Sequence, residues 1–350
     1  MSKYNFTIQK KYQIIVSVII ALAIIVFNLY YMILSSEINC KDPEKLFTIP
    51  KGISAESVAN LLQNRSCIES KSAFKVALLI TMKSRSIRSG RYDLKGILSV
   101  GQLIKLISSP SKNRVKVTLV EGWDINRFAE ELNQHLQLDE KEFIQLCNNE
   151  EFIQEMGIDA QTLEGFLFPD TYILLKTYTE EEVIEVLVNQ FHYNYKKVLD
   201  EIENHKTMTM KEVATLASII QGEAIFNDEM PIISSVYHNR LDSNMLLQAD
   251  PTIQYFIPGK PRRLYNKDLK INNTYNTYKY QGLPPGPINN PGLAAIRSAL
   301  QPEETNYYYF VSNGEGRHIF SLNNTQHNQA KLQLKKKRKL KKRIESRSIK

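Results

Sequence analysis

Glu223 ends the run Leu216-Ala-Ser-Ile-Ile-Gln-Gly-Glu-Ala224, a setting in which a carboxyl group can do acid–base chemistry. Thr209 and Glu212 have the spacing of a capping box, so the spacing predicts a helix starting there. Val213, Leu216, Ala217 and Ile220 then recur at i, i+3, i+4 and i+7, which makes one apolar stripe. At about 100° per residue, Glu223 projects close to Leu216 on the rim of that stripe, and Gln221 lies well round the helix. A carboxylate placed there loses hydration and faces the negative end of the helix dipole. Both effects favour the protonated form, as a general acid requires. A solvated glutamate in a last helical turn has the same spacing, and periodicity alone does not separate the two.

The elements around Glu223 must position it. Between residues 251 and 302 lie eight of the chain's 13 prolines, together with Asn272, Asn273, Asn276, Tyr265, Tyr275, Tyr278 and Tyr280. Such a stretch is neither a long helix nor a central strand. It reads as an ordered irregular segment that supplies site residues from loops. Tyrosine faces and amide side chains suit an uncharged, hydroxyl-rich glycan. Tyr307-Tyr-Tyr-Phe-Val311 reads as a strand, paired as a hairpin with residues 317–322 across Asn313-Gly314.

Upstream, Phe47-Thr-Ile49 reads as a strand and Ser54 as the cap of a helix through Leu62. A second helix covers 73–82, Gly90-Arg-Tyr-Asp-Leu94 turns into a strand, and Ser99 opens a third helix with Leu103, Ile104 and Ile107. Val115, Val117 and Leu119 alternate as in a half-buried strand, and Asp124-Ile-Asn126 leads into a helix to about Leu136. Thr179 and Glu182 form a second capping box, before a helix from Glu180 to about Leu199. Strands and helices in no strict alternation predict an α+β fold.

Further motifs carry a resemblance. They are Leu163-Glu-Gly-Phe-Leu-Phe-Pro-Asp-Thr-Tyr172, Asn239-Arg240-Leu241, Met245-Leu-Leu-Gln-Ala-Asp-Pro-Thr252 and Tyr275-Asn-Thr-Tyr278. Gly282-Leu-Pro-Pro-Gly-Pro-Ile288, Asn290-Pro-Gly292, Tyr309-Phe-Val311, His318-Ile-Phe-Ser321 and His327 follow. In order and spacing this resembles the YceG-like (MltG) family of endolytic murein transglycosylases, over about residues 47–330 and most densely over 209–327. The resemblance implies that Glu223 is the catalytic acid/base. It would protonate the bond between N-acetylmuramic acid and N-acetylglucosamine, then deprotonate the muramic 6-hydroxyl as that oxygen closes a 1,6-anhydro ring. The family pattern usually has two glutamates two positions apart. The first of them is Gln221 here, which puts any supporting role of that carboxylate in doubt.

Asn239, Arg240, Gln248, Asn276, Tyr278 and His318 are the candidates for orienting the sugar, each with a structural hydrogen bond in the loops as the alternative. Arg240 would anchor a muramic carboxylate, or simply pair with Glu229 or Asp242. Asp250, Glu164 and Asp170 are the candidate second carboxylates. Each sits in an Asp-Pro, Glu-Gly or Pro-Asp setting that turn formation explains equally well, so none is assigned a catalytic role. A hydrolytic muramidase and a non-enzymatic wall-binding scaffold stay open as alternatives.

Residues 14–34 contain no charge, enough for a single transmembrane helix, with Lys3, Lys10 and Lys11 before it and Glu37 the first charge after it. The positive-inside rule puts residues 1–13 in the cytoplasm and the rest outside it. A cleaved signal peptide is the alternative, but the apolar run exceeds a usual h-region and no small-residue cleavage site follows. The expected organisation is then a LysM-like membrane-proximal subdomain over 46–112, a catalytic domain over 115–330 and a basic tail over 331–350. The β-α-α-β-α order of the subdomain is what resembles LysM units; a plain spacer has the same order.

The formal charge of +8 is misleading, because the tail holds 11 basic residues against one acidic, Glu345, and the other 330 residues sum to −2. A nucleic-acid-binding body is not implied. The tail reads as a solvated, disordered or loosely helical extension, with anionic lipid or wall polymer as the partners it would meet. Peptidoglycan strands and the membrane are the expected partners, and the resemblance leaves a peptidoglycan synthase open as another. Cys40, Cys67 and Cys147 are odd in number and form neither a metal pattern nor a complete disulfide framework, so Cys40 reads as an ordinary residue. The six histidines show no zinc spacing, and no metal or organic cofactor is indicated.

This topology makes a prediction. A reporter that functions only outside the cytoplasm, fused after Ala330, should be active, and activity there from a cytoplasm-only reporter would refute the orientation.

Overall fold

The computed structural model describes residues 2–41, 46–109, 114–259 and 261–348. The expected end of the first subdomain at residue 112 lies outside them. So do the side chains before residue 15 and beyond residue 337, and with them the lysines ahead of the apolar span and most of the basic tail. The chain forms two compact units, residues 1–114 with 175–179, and residues 115–174 with 180–350.

The first unit holds α1 (Ser2–Leu34), β1 (Phe47–Ile49), α2 (Ala55–Asn64), α3 (Lys71–Ile80), β2 (Gly90–Tyr92) and α4 (Val100–Ser108). Residues 15–34 of α1 are long and apolar enough to cross a membrane, and among the described residues no other helix is. Strands β1 and β2 pair antiparallel, with Phe47 opposite Tyr92. The expected caps Ser54 and Ser99 form, each accepting a backbone N–H from the residue three places on, and Ser70 caps α3 in the same way, starting it two residues earlier than expected. Phe47, Ile49, Val58, Leu62, Phe74, Leu78, Leu103 and Ile107 make the core of this unit. One expectation is corrected here. Cys40 is joined to Cys67 by a disulfide, 27 residues apart, while Cys147 in the second unit is a buried free thiol. An odd count of cysteines excludes complete pairing but leaves one pair open, and spacing does not reveal which.

The second unit begins with β3 (Arg114–Thr118), α5 (Ile125–Leu136), α6 (Glu140–Leu146), α7 (Glu150–Glu155), β4 (Thr171–Leu175) and α8 (Glu180–Glu201). It continues with α9 (Met210–Glu223), α10 (Met230–Asp242), α11 (Asp250–Phe256) and α12 (Leu293–Leu300). The hairpin β5 (Tyr309–Ser312) and β6 (His318–Ser321) follows, and α13 (Asn324–Ser348) ends the chain. The described residues thus form an α+β fold with three two-stranded sheets, β1–β2, β3–β4 and β5–β6. Between 257 and 292 the described residues are irregular as expected, apart from a 3-10 turn at Asp268–Lys270, but α11 and α12 start and finish the proline-rich segment. Both are short, and α12 fits between Pro291 and Pro302. The expected tail boundary at residue 331 falls inside one helix, α13, which packs on the β5–β6 hairpin.

The α8–α9–α12 layer is the core of this unit. Val213, Ala214, Leu216, Ala217, Ile219 and Ile220 of α9 are fully buried, with Ala295, Ile296 and Ala299 of α12 among the other buried residues. Helix α9 is apolar nearly all round, as a central helix must be. Gly165 is a required glycine: its φ is +86° and a Cβ would lie 2.3 Å from the Pro287 Cβ.

The disulfide is directly testable. Under denaturing, non-reducing conditions a thiol titration should count one free cysteine, rising to three on reduction. A loop of this length should lend the folded chain about 3 kcal/mol, seen as a lower unfolding midpoint in reductant. Three thiols without reductant would refute the pairing.

Candidate active site

Glu223 is the last residue of α9, because Ala224 turns to extended backbone. The capping box at the start of the helix is complete: Thr209 Oγ1 accepts the Glu212 N–H at 3.2 Å, and Glu212 Oε2 accepts the Thr209 N–H at 2.8 Å. Near the far end, Ser218 Oγ accepts the Ile288 N–H at 3.0 Å, and Ser218 O accepts from Asn289 Nδ2 at 2.8 Å. These bonds stitch the proline-rich segment along α9. Gly222 has the second required absence of a side chain. A Cβ there would lie 2.8 Å from the Pro251 Cβ, so only glycine lets the first turn of α11 press against the last turn of α9.

The Glu223 side chain is partly buried. Tyr237 of α10, which is fully buried, donates its hydroxyl to Glu223 Oε1 at 3.0 Å. Among the described residues no hydrogen bond reaches the other carboxyl oxygen. Burial first, and then the charge of Asp250, push the Glu223 pKa up to about 7, against the Tyr237 hydrogen bond and the Arg240 charge. Burial and the adjacent carboxylate drive the Tyr237 hydroxyl well above its usual range, so it keeps its proton and donates. Phe310 of β5 meets the Tyr237 ring edge-on at 5.8 Å. Tyr278 donates its hydroxyl to Asp250 Oδ1 at 2.5 Å.

Of the residues expected to orient the sugar, Arg240 and Tyr278 are brought electrostatically close to Glu223. Arg240 is buried. It donates from Nε to Tyr308 O at 2.7 Å and from one terminal nitrogen to Leu247 O at 2.7 Å, and its guanidinium lies 5.2 Å from the Tyr309 ring centre. Neither acidic partner expected for it is used: Asp242 lies 3.8 Å from Lys206, and Glu229 holds His318. Asn276 is fully buried, donating to Leu269 O and Ile271 O and accepting the Tyr278 N–H at 3.0 Å, so it shapes the turn that presents Tyr278.

Among the described residues no hydrogen bond joins the other three to the Glu223 carboxyl group. Asn239 donates to Thr305 O and Tyr307 O, each at 2.9 Å. His318 is bonded by Nδ1 and by its backbone N–H to the two oxygens of buried Glu229, at 3.1 and 3.0 Å. Gln248 is exposed on left-handed backbone, φ 50°, and its side chain makes no hydrogen bond among the described residues. Gln221 accepts the Gly292 N–H on Oε1 at 3.0 Å, a task that an amide and a carboxylate perform equally.

The remaining carboxylates differ. Asp170 accepts from the Thr171 N–H and from Gln190. Glu164 is only 3 % exposed and both its oxygens are bonded, Oε1 by Asn290 Nδ2 at 3.1 Å and Oε2 by the Ile125 N–H at 3.3 Å. Burial lifts its pKa to about 8. Tyr237, Gly222, Asn289 and Asn290 carry weight that sequence reasoning missed. A tyrosine on an apolar helix signals a buried hydroxyl seeking a partner, but nothing in its spacing names Glu223. Among the described residues no three His, Cys, Asp or Glu side chains converge on a metal site. A cavity of about 720 Å³ lies at the other end of α9, lined by Lys206, Thr207, His238 and the 282–285 loop. It includes none of the residues around Glu223.

Comparison with known proteins adds to this geometry. Residues 47–333 match the model of the YceG-like family. The chain is 31 % identical over 300 residues to a Bacillus subtilis protein named endolytic murein transglycosylase, covering 81 % of this chain and 82 % of that one. It is 26 % identical to a Streptococcus pneumoniae protein of the same name, of which it spans 56 %. The crystal structure of a YceG-like protein from Listeria monocytogenes superposes with a TM-score of 0.56 at 28 % identity, covering 81 % of this chain and 98 % of that one.

Glu164 yields a pH prediction. The folded chain keeps a proton on it that the unfolded chain releases between about pH 4.5 and 8. The native state therefore binds more protons than the unfolded state in that window, and stability falls as pH rises through it. Glu164→Gln should flatten the dependence of the urea midpoint on pH between 5 and 8, and an equally steep profile would contradict the assignment.

Proposed function

The chain belongs to the YceG-like family, and on that premise we propose that it is an endolytic lytic transglycosylase of peptidoglycan with Glu223 as its acid/base. The observation that carries this reading is the state of Glu223: a carboxyl group raised to about 7, with one oxygen fixed by Tyr237 and the other without a hydrogen bond among the described residues. Near neutral pH a large share of such a group is protonated and ready to donate. In the first step its proton passes to the oxygen bridging muramic C1 to N-acetylglucosamine, while the C1–O bond breaks. In the second, the carboxylate takes the proton of the muramic 6-hydroxyl while that oxygen bonds to C1. Glu223 ends as it began, and no water is consumed.

The names of the relatives support murein cleavage by transglycosylation. The apolar helix α1 supports a membrane anchor, and the lysines before it support an orientation with the second unit outside the cytoplasm, where glycan strands emerge. An enzyme held there would cut strands near the membrane and so limit their length. A hydrolytic muramidase is the second reading, favoured by one observation: the charge of Asp250 acts on Glu223, and most glycosidases work with two carboxylates.

Two measurements test the proposal. Glu223→Gln should fold normally and lose about 10²–10⁴-fold or more of glycan cleavage, since one group serves as both acid and base. Mass spectrometry of the wild-type digest should find anhydro ends. Near-normal cleavage by the variant would sink the assignment, and reducing ends would favour the muramidase.

A further inference from the structure

We propose that Asp250 is the second carboxylate of this active site, an anion anchored by Tyr278 that stabilises the cationic sugar ring as the glycosidic bond breaks. The inference rests on the transglycosylase reading and adds a charge-stabilising residue to it.

The bland account of Asp250, an aspartate that starts a turn or caps a helix, does not fit its bonding. Helix α11 has Ala249 as its cap with no side-chain cap hydrogen bond, and Asp250 is its first helical residue. Among the described residues no backbone N–H donates to the Asp250 carboxylate. Its hydrogen bond comes instead from a side chain, the Tyr278 hydroxyl at 2.5 Å on Oδ1. Tyr278 is in turn fixed by the Asn276 side chain, which is wholly buried. The second oxygen, Oδ2, has no hydrogen bond and no basic partner among the described residues, and the side chain is exposed. Gly222 sets the position: by admitting Pro251 at 2.8 Å from where its own Cβ would stand, it places Asp250 beside the last turn of α9, which ends in Glu223.

The charged and titratable groups facing Glu223 are few. Tyr237 and Arg240 come from α10, Asp250 from α11, and Tyr278 from the irregular segment. Arg240 is held by backbone carbonyls and favours the ionised form of Glu223, whereas Asp250 favours the protonated form. An unneutralised anion therefore does two things here. It keeps the proton on Glu223 until the leaving oxygen needs it, and it faces the positive charge that develops at C1. No covalent bond to Asp250 is required, because the muramic 6-oxygen closes on C1.

The test compares pH–rate profiles of the full chain acting on peptidoglycan glycan for wild type, Asp250→Asn and Asp250→Glu. With a general acid, the rate falls on the alkaline side as Glu223 ionises. Asp250→Asn should lower kcat by about 10²-fold with KM within about threefold, and its alkaline limb should move to lower pH by about half a unit or more. Asp250→Glu keeps the charge and should hold the limb near wild type while recovering part of kcat. If Asp250→Asn fails to reach the wild-type melting temperature, Asp250→Ser, a residue tolerated at helix starts, gives the same readout. An alkaline limb that does not move, whatever happens to kcat, overturns the proposal, because a merely structural role lowers the rate without shifting the limb. Reducing ends from the wild type would instead overturn the transglycosylase reading beneath it, so the two failures are told apart.

Discussion

Asn290 holds three loops together with a single residue. Its Oδ1 accepts the Gly165 and Leu167 N–H groups at 2.9 and 3.1 Å, and its Nδ2 donates to Glu164 Oε1 and to Trp123 O, each at 3.1 Å. Its own backbone bonds Trp123 O and the Gly122 N–H. No part of it is exposed. Loops cannot satisfy one another's backbone groups as strands do, so a buried side chain with two donors and a two-lone-pair acceptor takes that part. The preceding residues Ile288 and Asn289 bond Ser218, and the following Gly292 bonds Gln221, so the same short run fixes the last two turns of α9. The direction of Glu223 follows from this. Removing the Asn290 side chain would strip a partner from three buried groups, the Gly165 and Leu167 N–H groups and Glu164 Oε1, each costing about 1–3 kcal/mol.

Glu164 and Glu223 are the two acids of this unit raised furthest, and the shift alone does not say which of them suits proton transfer. Glu164 is the more strongly perturbed, at about 8 against about 7. Yet both of its oxygens are engaged and it is closed to solvent, so a proton there has no route to a substrate. Glu223 has one oxygen engaged and is partly open. Availability decides, with the pKa as a supporting condition. The Tyr237 hydrogen bond opposes burial and keeps the group within reach of neutral pH, where it can both give and regain a proton. Hydrogen bonds also oppose burial at Glu164, but they occupy both of its oxygens and leave it closed to solvent, as in a structural acid.

Local rules recovered much of the fold. Ser54, Ser99, Asp124 and Thr209 cap helices where their types and spacing said they would, because a cap is a contact between near neighbours. The hairpin at Asn313-Gly314 forms for the same reason, with Tyr309 opposite Ser321. What stayed hidden is long-range. The Cys40–Cys67 bond, the Glu223–Tyr237 pair and the Tyr278–Asp250 pair each join residues 14 or more positions apart. Asn239 and His318 show the converse. Their residue types suit sugar binding, but a buried carbonyl or carboxylate elsewhere claims their polar atoms, and no one-dimensional pattern marks those partners.

Position 221 can now be read physically. Gln221 and Glu121 meet at Gly292: the amide oxygen of Gln221 accepts its N–H, and a Cβ on Gly292 would collide with the Glu121 carboxylate. Burial already raises the Glu121 pKa. A carboxylate at 221 would keep the acceptor role but add a third negative charge close to Glu121 and two residues from Glu223. The amide performs the structural task without that repulsion. The residue that departs from the expected glutamate thus holds the start of α12 through Gly292. Under the proposed function proton transfer stays with Glu223, and the charges that act on it are those of Asp250 and Arg240.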